Sequence, residues 1–173
     1  MINAFENLLE RRSIRQYQDK PIPDDVLSEI LKAGTYAATG MNKQAPIIIA
    51  VTNREMRDRL SKMNADVMGV DTDPFYGTPV VLVVLANKEV RTAVYDGSLV
   101  MGNLMLAAHE LGIGSCWIHR AKEMFASEEG KAILKDLGIE GDYEGVGNCI
   151  LGYADCPHPE ARPRKENYVY YIR

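Results

Sequence analysis

Arg11, Ser13 and Arg15 alternate within Arg11-Arg12-Ser13-Ile14-Arg15-Gln16-Tyr17, in a chain whose net charge is −4. In an extended segment alternate side chains share a side, so two guanidinium groups and a hydroxyl would face one way. A guanidinium presents a planar fork of donors that matches phosphate oxygens. The segment therefore suits a phosphorylated small molecule, and a solvated basic turn is the other reading of the same run. The far end of the chain bears on that choice. Arg162, Arg164, Lys165 and Arg173 stand there against Glu166 alone. Residues 1–20 and 161–173 together hold 8 Lys/Arg and 4 Asp/Glu, whereas 21–160 hold 12 and 20. Positive charge gathered at both ends of an acidic body is what an anion held between the ends would require. No nucleic-acid partner is expected, because the pI is near 5.4 and no long basic stripe appears.

Other chemistries are missing their residues. Gly112-Ile113-Gly114 lacks the third glycine of a dinucleotide fingerprint and follows a helical pattern. No P-loop and no Gly-x-Ser-x-Gly elbow is present. His109, His119 and His158 do not pair at ligand spacing, so no metal site is expected. His109 falls within a helical pattern and reads as structural. No nucleophile–base pair is evident, so no side chain is assigned a catalytic role and a cofactor would carry the reactive group. Cys116, Cys149 and Cys156 are odd in number and form no Cys-x-x-Cys, which reads as reduced thiols in a cytoplasmic protein. The first residues lack a basic, then apolar, leader pattern. No run approaches the ~18 apolar residues of a membrane span, so no membrane partner is expected.

The elements that would position these residues fit one domain over 1–173. A short helix is predicted over 3–10, then the arginine segment as a loop. Pro21-Ile22-Pro23-Asp24-Asp25 opens a second helix, since proline and acidic residues suit a first turn. A polar loop over 39–46 leads to a strand at Ile47–Thr52, and an amphipathic helix follows at Arg54–Asn64. Residues 65–78 read as loop or irregular helix. The run 79–86 is apolar throughout and predicts a strand buried on both faces. A long helix over 92–111 is apolar almost all round at 99–108, so it lies in the core or at a subunit interface. Ser115–Ile118 and Val146–Tyr153 are further strands, with helical segments near 121–136 between them. The segment 157–173 is a tail ending in the β-prone Tyr168-Val169-Tyr170-Tyr171-Ile172, suited to joining a sheet, including that of a second subunit. Helices and strands interleave without a repeated βα unit, which gives an α+β class with helices flanking a central mixed sheet.

With these elements in place, the arginine motif resembles the opening motif of the FMN-dependent nitroreductase family. Ala38-Thr39-Gly40-Met41-Asn42-Lys43-Gln44 resembles that family's Pro-Ser-x-x-Asn-x-Gln loop. Gly77-Thr78-Pro79-Val80-Val81 resembles the lead into its central strand. Residues Asn103 to Trp117 resemble its long interface helix and following turn, and Arg162-Pro163-Arg164 its basic C-terminal element. The matches keep family order across 11–164.

The resemblance implies a three-layer α+β sandwich, an intertwined homodimer and FMN at the interface. Arg11, Arg12, Ser13 and Arg15 would hold the phosphate and ribityl chain, with Arg162 and Arg164 closing on the phosphate. Thr39, Asn42 and Gln44 would reach the flavin from the other subunit. Trp117, Ile118, His119 and Arg120 would lie along the ring and offer backbone N–H groups; core packing is the other role open to Trp117. NADH or NADPH would donate hydride to flavin N5, and an electron-poor small molecule such as a nitroaromatic or quinone would accept it, by ping-pong kinetics. A flavin carrier or sensor without NAD(P)H turnover, and a specialised flavin dehydrogenase or dehalogenase, are the alternatives. Ala38 and Thr39 replace the family's proline and serine, and His119 stands where well-known members have Glu. The chain is also short for the family, which implies that the segment that often covers the substrate pocket is reduced or missing.

Overall fold

The computed structural model describes residues 3–173. Its elements run α1 (Ala4–Glu10), α2 (Asp24–Thr35), β1 (Pro46–Val51), α3 (Arg54–Met68), β2 (Val80–Asn87), α4 (Ala93–Glu110), β3 (Gly114–Ile118), α5 (Ala121–Ala126), α6 (Glu128–Asp136) and β4 (Tyr143–Gly152). The four strands form one sheet in the order β1-β2-β4-β3. Every neighbouring pair is antiparallel. The parallel component expected of a mixed sheet is confined, among the described residues, to an isolated bridge between Ser13 and Ser115.

Alternation along β2 builds both faces of the core. Val80, Leu82, Val84 and Ala86 pack with Ile30 of α2 and Val100, Met101 and Leu104 of α4. Val81, Val83 and Leu85 pack with Leu60 of α3, Phe125 of α5 and Ile133 of α6. The result is three layers, with helices on both faces. A continuous apolar strand is usual in parallel sheets; here an antiparallel strand has the same composition because helices cover it on both sides.

Helix α3 runs one turn beyond its sequence pattern and ends at Gly69, whose φ of 73° supplies the left-handed cap. The loop beyond it is stapled back onto the helix. Asp73 accepts hydrogen bonds from Arg57, Ser61 and the backbone N–H groups of Phe75 and Gly77. Helix α4 buries Val100, Met101, Leu104 and Ala108 but leaves Tyr95 74% and Leu99 50% exposed. The tail from Pro157 onward forms no strand within this chain, and Tyr168–Ile172 are exposed.

Candidate functional site

The arginine segment leaves α1 and crosses to the sheet. Arg11 caps the helix, its N–H donating to Asn7 O at 3.1 Å. Ile14 N–H donates to Ser115 O at 2.9 Å, and Gln18 N–H to Tyr153 O at 2.9 Å, so the segment lies along β3 and the end of β4. Ile14 is buried and Arg15 is exposed. Tyr17 secures the turn by donating its hydroxyl to Ile14 O at 2.6 Å, and burial pushes its ionisation up.

The two leading arginines differ. Arg12 Nη1 donates to the carbonyls of Leu9 and Arg11 at 2.7 and 2.8 Å, closing the C-terminal end of α1. Arg11 Nη1, by contrast, is buried without a hydrogen-bond partner among the described residues, as is Ser115 Oγ. An unpartnered buried donor is costly, and a phosphate oxygen is the acceptor a guanidinium fits best. The donor set at this place therefore fits a phosphate-bearing cofactor.

The root of the tail lies beside this cluster. His158 Nε2 is 2.9 Å from Glu10 O, and its ring stacks on His109 with centroids 5.7 Å apart. Burial first, and then the neighbouring His158, hold His109 below its usual pKa. The basic tail thus departs from a point one residue away from Arg11. Arg162 and Arg164 are exposed, and Arg164 donates to Arg162 O at 2.7 Å.

At the other end of β3, two buried asparagines shape the turn Trp117–Arg120. Asn64 Nδ2 donates to His119 O at 2.8 Å, and Arg120 Nε donates to Asn64 Oδ1 at 3.0 Å. Asn148 Nδ2 lies 3.4 Å from both Ile118 O and His119 O. In a trans peptide the C=O and N–H point opposite ways. With these carbonyls held inward, the N–H groups of His119 and Arg120 face away from the asparagines. Arg120 adopts φ 75° to make the turn. Trp117 is half-buried and lies across β4, where a Cβ on Gly147 would come within 2.4 Å of its Nε1. Sequence reasoning missed Asn64, Asn148 and Tyr17. The available signal was an amide within apolar Val146–Leu151.

Thr39, Asn42 and Gln44 are brought together, but not with the arginines. Gln44 N–H donates to Thr39 Oγ1 at 3.2 Å, and Gln44 Nε2 to Asn42 Oδ1 at 3.1 Å. Their loop leads into β1, the sheet edge opposite β3. It is held by the first turn of α4 through Gly40 N–H and Asp96 Oδ1, 3.1 Å apart. The arginine segment meets the last turns of the same helix, where Asn7 Nδ2 donates to Leu106 O at 3.1 Å. At 1.5 Å per residue, Asp96 and His109 stand about 20 Å apart along α4.

Two further hollows flank β1. An apolar cavity of about 240 Å³ is lined by Ile49, Val51, Met56, Leu60, Phe125 and Ile133. A groove of about 500 Å³ runs past Thr39, Gln44, Ile48 and Val100. Among the described residues no group of three or more His, Cys, Asp or Glu side chains converges to hold a metal. None of their helices is long and apolar enough to cross a membrane.

Comparison with known proteins gives the family. The model of the Nitroreductase family matches residues 8–73 and 68–153. A protein of Archaeoglobus fulgidus, provisionally named an NADH dehydrogenase/NAD(P)H nitroreductase, is 32% identical over 88% of this chain and 86% of its own length. A protein of the same provisional name from Methanothermobacter thermautotrophicus is 30% identical over 67% of this chain, and the match spans 60% of that protein. The crystal structure of a Bacteroides fragilis nitroreductase with bound FMN superposes with a TM-score of 0.87 at 28% identity, covering 100% of both chains. The chain belongs to the nitroreductase family.

Proposed function

We propose that this chain is an FMN-dependent NAD(P)H oxidoreductase that works as a homodimer with a cofactor site at each interface. The observation that carries the reading is the buried, unpartnered Arg11 Nη1, on a segment that bridges to Ser115 and at the root of a basic tail. The FMN in the similar Bacteroides fragilis structure and the NAD(P)H in the archaeal relatives' names support it. When bound, FMN supplies a two-electron carrier that takes hydride at N5 from a nicotinamide and returns it to an acceptor.

The chain's own residues bind and orient. Arg11, Ser13 and Arg15 hold the phosphate, and Arg162 and Arg164 fold over it from the tail. Arg12 fixes the end of α1 so that Arg11 is presented. The amides of His119 and Arg120, set by Asn64 and Asn148, donate toward the ring. Thr39, Asn42 and Gln44 act on the partner's cofactor, because within one chain they occupy the opposite sheet edge. Donor and acceptor use one open face in turn, which gives ping-pong kinetics. The acceptor class is an electron-poor small molecule, a nitroaromatic or quinone. Free, mostly buried thiols fit a reducing, cytoplasmic setting.

Dimerisation is supported by apolar surface that one chain leaves uncovered. Tyr95 and Leu99 project from α4, and Tyr168–Ile172 project from the tail. β1 ends the sheet, and the apolar cavity beside it suits the tail of a second copy added as a strand. The test is flavin retention. Wild-type protein supplied with FMN should keep its visible flavin bands through gel filtration and bleach anaerobically with NADH or NADPH. Bound flavin that neither nucleotide bleaches would overturn the oxidoreductase reading, and a stable monomer in sedimentation would overturn the shared site.

A further inference from the structure

The buried carboxylate of Asp96 has no part in the cofactor chemistry above, yet the loop Thr39–Gln44 hangs on it. Asp96 is 3% exposed on the first turn of α4. Its Oδ1 accepts from Gly40 N–H at 3.1 Å and its Oδ2 from Thr92 Oγ1 at 2.9 Å. The contact is close enough to dictate the residue at 40, since a Cβ on Gly40 would fall 2.4 Å from Thr92 Oγ1. Beyond this clamp the backbone is strained. Met41, Asn42 and Gln44 take φ of 51°, 54° and 48°, a region that side-chain-bearing residues enter at a cost. Met41 is left 89% exposed, so burial of its side chain does not compensate. A conformation of this kind persists only where its surroundings impose it. Here the surroundings include one carboxylate, one threonine, the bonds among Thr39, Asn42 and Gln44, and the Lys43 N–H donating to Gly40 O at 3.0 Å.

We infer that Asp96 is a positioning residue for the cofactor site of the partner subunit. Anchored through Gly40, the strained loop presents Thr39, Asn42 and Gln44 as a preset group of donors and acceptors across the interface. This rests on the FMN reading of those three residues. The role is geometric: an amide in place of the carboxylate keeps an acceptor for Gly40 N–H and can donate to Thr92 Oγ1.

Three variants and one mixing experiment test it. Asp96→Ala should weaken FMN binding by about tenfold or more, as expected for losing hydrogen bonds to a charged acceptor; flavin fluorescence on titration reads this. Asp96→Asn should stay within about threefold of wild type, because it preserves the bonding pattern. Gly40→Ala leaves the buried carboxylate in place, displaces the loop and should match Asp96→Ala, which covers the case that Asp96→Ala does not fold. An Asp96→Asn protein as weak as the alanine variant would overturn the geometric role.

The mixing experiment reads the subunit that Asp96 serves. Differently tagged Arg11→Ala and Gly40→Ala chains are co-expressed and the mixed dimer is isolated. If the loop acts on the partner, one of the two sites combines both defects and the other has none. The mixed dimer should then retain about half the wild-type FMN through gel filtration while each parent dimer retains little. Retention no better than the parents would place the loop's action in its own subunit and overturn the inference. Full FMN on the Arg11→Ala homodimer would instead sink the phosphate assignment, which separates the two failures.

Discussion

The two ends of α4 carry polar networks built in opposite ways. At the N-terminal end no buried side-chain polar atom is left without a partner among the described residues: both oxygens of Asp96 accept, and Thr39, Asn42 and Gln44 bond one another. At the C-terminal end Asn7 Oδ1, Arg11 Nη1, Arg12 Nε and His109 Nε2 are all buried without partners among the described residues. A satisfied network holds a shape whether or not a ligand is present. An unsatisfied one is a standing cost that a ligand of the right charge removes. The first end therefore reads as scaffold that shapes a site, and the second as the place where an anion binds.

The largest effect expected from this contrast is on cofactor affinity. Arg11→Ala with Arg15→Ala should weaken FMN binding more than about 100-fold, since two charge-assisted contacts are lost. The urea midpoint of the cofactor-free protein should barely move, because Arg11 Nη1 has no bond to lose. A large loss of stability would show that the arginines hold the fold, and the contrast would fail.

Next in size is assembly. Removing Tyr168–Ile172 should convert dimer to monomer in sedimentation and abolish FMN retention together. A truncated chain that stays dimeric would leave the β1 edge without its proposed strand. Third is stability at the satisfied end. Asp96→Ala should cost the cofactor-free protein about 2–3 kcal/mol in urea denaturation, because it strands Gly40 N–H and Thr92 Oγ1. The same change thus marks one end of α4 as structural in the apoprotein, where the arginine change marks the other as functional.

Legibility in the sequence followed the range of the interactions. The central run of β2, the long α4 and the arginine motif were readable because composition and local period decide them. The end of α3 was missed by a turn because the left-handed cap at Gly69 is not revealed by apolar spacing. The alternating pattern groups Arg11 with Ser13 and Arg15, whereas the diversion of Arg12 to the α1 carbonyls depends on where that helix stops. Asp96, Asn64 and Asn148 were invisible as site-shaping residues. Their partners lie 56, 55 and 29 residues away in sequence, at Gly40, His119 and His119. No local pattern encodes such pairs. The tail is β-prone in composition, yet it forms no strand within this chain.

The smallest effect separates the two ends by pH. His109 sits at the unsatisfied end, facing His158 from the tail, Glu10 and Arg11 from the α1 end, and Glu110 from its own helix. Burial and His158 lower its folded pKa below 6.5. Below pH 6.5 the unfolded chain then binds a proton that the folded chain resists. His109 therefore makes folding stability fall as pH drops through that window, with no such penalty above it. Phosphate bound at Arg11 places negative charge near the imidazole and favours its protonated form. The acid-side loss should shrink when FMN is present. Urea midpoints from pH 7.5 down to 5.5, with and without FMN, compare wild type with His109→Gln. The variant should show a flatter profile without FMN and less change on adding it. Parallel profiles for the two proteins would mean that His109 does not sense the anion site, and the unsatisfied end of α4 would reduce to the arginines alone.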